Sequence, residues 1–161
     1  MKIAGKKIEK NPLIVEVYIP RGENGIDGLM FKSQPVTTMD RFDKMVEEPK
    51  PLKLTVPGGG EPKEDENLGD YKEKRAEYNK LRWAFFVIES LKATEDLEWE
   101  TIKDDDPSTW LNIEDELKES GFSPSDVQRI NDNCLKANSM DEDHIKIARE
   151  RFLAMTEEEA A

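Results

Sequence analysis

The sequence predicts a mainly α (α+β) protein, with a compact C-terminal helical bundle of about four helices and a small strand-containing N-terminal arm or cap. Three observations lead there. Seven of the nine prolines (Pro12, Pro20, Pro35, Pro49, Pro51, Pro57 and Pro62) fall before residue 70, where they interrupt any long helix. After residue 70, apolar residues recur three and four apart, the spacing of helices with one buried face. Charge is uneven too: residues 1–70 hold 11 basic and 13 acidic side chains, and residues 71–161 hold 13 and 23. The expected division is an arm over 1–56, a flexible Gly/Pro/acidic linker over 57–70 and an acidic helical domain over 71–161. A chain of 161 residues has room for one compact domain, or one domain plus an arm.

The elements follow in chain order. Leu13 to Ile19 is a β-branched stretch closed by Pro20 and reads as a strand. Gly22, Asn24-Gly25 and Asp27-Gly28 form a turn-rich loop before a second apolar piece, Leu29-Met30-Phe31. That loop is too long for a two-residue hairpin, so the pairing stays open. Thr38 is placed to cap a short helix with stripe Met39, Phe42 and Val46. Leu52, Leu54 and Val56 alternate with polar residues as a half-exposed strand does. Gly58-Gly59-Gly60 and the charges after it suit a solvated linker. No Gly-Lys-Ser/Thr follows them, so a phosphate loop lacks its parts.

Asp70 opens a helix to about Ala93 whose stripe is Tyr71, Tyr78, Leu81, Phe85 and Ile88. Leu97 to Ile102 reads as extended. Asp106-Pro107 then pairs a capping acid with a proline at the first helical position. Trp110, Ile113 and Leu117 make the next stripe, and Gly121-Phe122 ends it in a Schellman-type stop. Ser123-Pro124 restarts a helix along Val127, Ile130, Cys134 and Ala137. Ser139 with Glu142 is a capping box for a last helix along Ile145, Ala148, Phe152 and Met155.

Composition excludes several function classes. With 37% charged residues and a formal net charge of −12, the chain is repelled by phosphate backbones and anionic lipid, so neither nucleic acid nor a membrane is the expected partner. No apolar h-region follows the charged start, so no secretory signal is expected. The longest apolar run, Trp83 to Ile88, is six residues long, far short of the roughly 20 that span a bilayer. Cys134 is the single cysteine and His144 the single histidine. Zinc sites and cysteine–histidine catalysis therefore lack their parts, and no catalytic residue, metal or cofactor is expected.

Other clusters have ordinary readings. Asp104-Asp105-Asp106 fails as a calcium loop, because the sixth position is Thr109 and the twelfth Asp115; it reads as a capped turn. Asp141-Glu142-Asp143 complements a helix dipole in the same way. Lys72, Lys74, Arg75, Lys80 and Arg82 alternate with aromatics, but Glu73 and Glu77 pair with them at helical spacing. The tryptophans weigh most, since a large amphipathic ring serves cores and interfaces alike. Trp83, Phe86 and Val87 flank a stripe that already accounts for the core side of their helix. These three are the candidate partner-binding residues.

One family shares the run of features. Ile19-Pro20-Arg21, Pro35-Val36, Phe42 and Pro49-Lys50-Pro51 precede the linker and Tyr71. Ile88-Glu89-Ser90-Leu91, Leu97-Glu98-Trp99-Glu100, Asp106-Pro107-Ser108-Thr109-Trp110, Gly121-Phe122-Ser123 and Ala148-Arg149-Glu150-Arg151-Phe152-Leu153 follow. Together they resemble tail assembly chaperones of long-tailed bacteriophages over most of the chain, best from residue 71 onward. The resemblance implies a non-enzymatic protein of the infected host bacterial cytoplasm that coats the tape measure protein and helps recruit tail tube subunits. It also implies that frameshifting near the end of the reading frame, as at Thr156 to Ala161, appends a second domain in many members. No family motif assigns binding residues. A structural or adaptor component of the virion, with residues 1–56 bridging copies in a homo-oligomer, is the alternative; an acidic DNA mimic ranks below it.

Overall fold

The structure, a computed structural model, describes residues 1–3, 5–7, 12–65, 67, 69–139, 145–146 and 149–150. It is a mixed α+β chain of helices and small two-stranded antiparallel sheets. The strands are β1 (Lys2–Ile3), β2 (Lys6–Lys7), β3 (Val15–Ile19), β4 (Leu29–Ser33), β5 (Leu52–Leu54) and β6 (Lys63–Asp65). The helices are α1 (Asp40–Met45), α2 (Tyr71–Leu91), α3 (Ile113–Glu119) and α4 (Pro124–Asn138). Short 3-10 turns occupy Glu23–Gly25 and Pro107–Asn112. Ala148, Phe152 and Met155 of the expected last helix, and Glu142 of its capping box, lie outside the described residues.

Contacts divide the chain into two units on lines other than 1–56, 57–70 and 71–161. The first holds Met1–Pro35, Ser90–Asp96 and Pro124–Ala161; the second holds Val36–Glu89 and Leu97–Ser123.

In the first unit β3 pairs antiparallel with β4, Val17 opposite Phe31 and Ile19 opposite Leu29. This settles the pairing that the long loop left open. The Tyr18 ring lies against Gly28, where an added Cβ would come within 2.0 Å of it. The Tyr18 hydroxyl donates to the Gly25 carbonyl at 2.7 Å. The loop is thus closed by an aromatic brace that requires a residue without a side chain. Helix α4 lays its stripe on this hairpin, where the sequence led us to expect other helices. Val127, Ile130, Cys134 and Ala137 are buried as the period requires, and Asn133 is buried with them. Its amide donates to the Val15 carbonyl at 2.9 Å and to the Ser33 hydroxyl at 2.8 Å. A buried polar group must be satisfied in this way or it destabilises the fold.

The second unit closes around aromatic rings. Phe42 of α1 meets Tyr78 edge-on at 5.3 Å, Phe85 at 5.6 Å and Trp110 at 6.1 Å, and Phe85 lies 5.0 Å from Trp110. Each such ring contributes roughly 1.5–3 kcal/mol by burial. The Trp110 indole N–H donates to the Lys103 carbonyl at 3.0 Å, so the polar end of the ring is satisfied too. Asp106 accepts from the Ser108 backbone N–H at 3.1 Å, the expected cap, although the helix it opens is 3-10 through Asn112 before becoming α3. The stop after α3 is a full Schellman motif. Phe122 N–H reaches Leu117 O and Gly121 N–H reaches Lys118 O, with Gly121 at φ +83°.

Two local expectations change. The segment expected as a linker contributes β6, paired with β5 from Leu52 opposite Asp65 to Leu54 opposite Lys63. Residues 97–102, expected to be extended, form no strand. Instead the Glu116 carboxylate accepts from the backbone N–H groups of Glu100 and Thr101, at 2.6 and 3.0 Å, and from the Thr101 hydroxyl.

Candidate partner-binding face

Helix α2 places the three candidate residues by its period. Trp83 and Phe86 are three apart and their rings stack with centroids 5.3 Å apart. Val87, one residue on, turns inward. Trp83 keeps 37% of its surface, Phe86 is half-buried, and Val87 keeps 2%. The structure therefore brings Trp83 and Phe86 together as a surface pair and removes Val87 from it. Tyr78, Phe85 and Ile88 are buried and Leu81 is half-buried. The stripe is accordingly wider than sequence spacing indicated, since the second half of α2 is apolar nearly all round and Val87 joins the core side.

A cavity of about 340 Å³ opens beside Trp83 in the second unit. One wall is α2, through Lys80, Trp83 and Ala84; the other is Leu111, Ile113 and Glu114. Leu111 is 40% exposed. It is a site residue that sequence reasoning missed. The signal was present: Leu111 lies off the Trp110, Ile113, Leu117 stripe and so had no place in the core. The face is thus an apolar groove between an aromatic helix surface and a leucine, with a cation on one wall and a carboxylate on the other.

A second cavity of about 410 Å³ lies in the same unit, among residues that include Val46, Glu48, Lys50, Asp70, Lys74 and Tyr78. Glu48, Asp70 and Lys74 among them are already engaged. Arg75 pairs with Glu48, and Lys74 with Asp70 at 2.9 Å. The Arg75 guanidinium also stands 5.3 Å over the Tyr78 ring. Each pair favours its own charged form: hydrogen bonding to Arg75 and its charge hold Glu48 below the usual carboxylate range, and hydrogen bonding to Lys74 does the same for Asp70.

The other singled-out residues take structural roles. Cys134 is fully buried, 3.5 Å from the Ser33 hydroxyl. Burial pushes its thiol up, against the hydrogen bonds from Ser33 and Ser90, which is the reverse of what a nucleophilic thiolate needs. Asp104 lies 3.5 Å from Arg41, and Asp106 is a cap. Among the described residues no group of three or more His, Cys, Asp or Glu side chains is placed to hold a metal ion. None of the described helices is long and apolar enough to cross a membrane. Searches of protein-family models, curated proteins and solved structures return no match.

Proposed function

We propose that the chain is a non-enzymatic tail assembly chaperone of a long-tailed bacteriophage, acting in the host bacterial cytoplasm. In this reading it binds the tape measure protein and helps recruit tail tube subunits. The observation that carries the proposal is the Trp83–Phe86 stack, partly exposed beside an apolar cavity on a chain of net charge −12. A long helical client exposes apolar surface before assembly. Its holder needs an apolar groove to cover that surface and a charged body to keep the complex in solution. The helices after Tyr71 supply both. The sequence resemblance adds the identity of the client. Only Trp83 and Phe86 of the three candidates, with Leu111, belong to the contact surface.

Co-expression tests the proposal. With the tape measure protein encoded by the same phage genome, the two chains are expected to elute together, and Trp83→Glu is expected to release the client while leaving the circular dichroism spectrum unchanged. Separate elution, with the tape measure protein soluble alone, defeats the proposal. A fixed copy number in purified particles favours the virion-component alternative instead.

A further inference from the structure

We infer that the groove beside Trp83 selects a helix carrying one carboxylate and one cation on either side of a single large apolar anchor. This rests on the proposal that the face holds a client helix and specifies the chemistry of that helix. The cavity, at about 340 Å³, is at the small end of binding pockets. It suits one inserted side chain, with the rest of the helix lying across the rim.

The rim sets the charges. Lys80 lies on one wall and Glu114 on the other, both exposed. No ion pair joins Lys80 to another side chain among the described residues. Glu114 has Lys118 at 3.8 Å, beyond hydrogen-bonding distance. Both charges therefore keep their hydrogen-bonding capacity for an incoming partner. A helix that covers the groove strips water from both, and burying a charge without a partner costs more than burying it paired. A carboxylate reaching Lys80 and an ammonium or guanidinium reaching Glu114 offset that cost. A helix with two like charges satisfies one wall and opposes the other. The net charge of −12 does not reverse this preference, because at physiological salt charges beyond about 8 Å are largely screened.

Three designed amphipathic peptides with the same leucine face test the inference. Their flanking residues are Glu/Lys, Lys/Lys or Glu/Glu, and binding is read at physiological salt from tryptophan fluorescence, with Trp83→Phe as the reference for the Trp83 signal. The Glu/Lys peptide is expected to bind about tenfold tighter than either other. Lys80→Glu is expected to move the preference to Lys/Lys, and Glu114→Lys to move it to Glu/Glu. The double exchange is expected to restore Glu/Lys. If the ranking of bound peptides is the same in all four proteins, the charge selection is wrong and the helix-holding proposal stands. If no peptide binds any of them, both fall.

Discussion

In the first unit, the contact between α4 and its hairpin buries Ser33, Asn133 and Cys134 among the apolar side chains. In the second, Phe42 meets Tyr78, Phe85 and Trp110, and Phe85 meets Trp110, while the ionic contacts lie toward the surface. Arg41, for example, reaches Glu89 at 2.9 Å while standing 5.6 Å over the Phe85 ring. The difference concerns what specifies each arrangement. Apolar rings are held by shape and area, and tolerate small shifts. A buried amide with two fixed acceptors tolerates none, so Asn133 sets the register of α4 on the sheet at the cost of depending on every partner.

That contrast can be broken from either side. The largest expected effect is in the second unit: Trp110→Ala should lose roughly 3–5 kcal/mol in urea unfolding, through the cavity it leaves beside Phe42 and Phe85. A smaller loss would mean that the rings repack and that shape matters less than we argue. In the first unit, Asn133→Ala should lose about 1–3 kcal/mol, because the Ser33 hydroxyl is left buried without its donor. Adding Ser33→Ala should recover part of that loss, and a strictly additive double variant would show that no network exists. Gly121→Ala should destabilise the Schellman stop by about 1 kcal/mol, since φ +83° is a conformation that a Cβ disfavours.

The smallest effect is a pH dependence in the second unit. Partial burial works against the Glu116 carboxylate, yet the Thr101 hydroxyl and the N–H groups of Glu100 and Thr101 together hold it below its ordinary value of 4.5. The stabilisation is therefore present above 4.5 and fades as the pH falls through the lower folded-state value. Glu116→Gln should be less stable at neutral pH, with the gap to the parent closing in acid. A gap that is constant with pH rules out the carboxylate as its source.

Sequence pattern revealed what is local. The strand before Pro20, the long helix from Asp70, the capping acid at Asp106, the Schellman stop and the α4 stripe all follow from residues within a few positions of one another. Partner choice was not legible in the same way. The α4 stripe fits a sheet as well as a helix, so periodicity gave its buried face and not what covers it. Asn133 sits one turn from Ile130 on that face, but its polarity hid it until Val15 and Ser33 were in place. Val87 was misjudged because a 21-residue helix that is apolar on most sides offers no pattern to separate a core flank from an exposed one. The Glu116 clasp on residues 100 and 101 joins positions 15 and 16 apart, beyond the reach of any local rule.

The burial of Cys134 also equips the molecule with a chemical reporter. All three tryptophans belong to the second unit and the lone cysteine to the first. Alkylation of that thiol proceeds only when its surroundings open, so the labelling rate times the opening of one half while intrinsic emission follows the other. The natural sequence thus lets each half be watched coming apart separately, with no residue replaced.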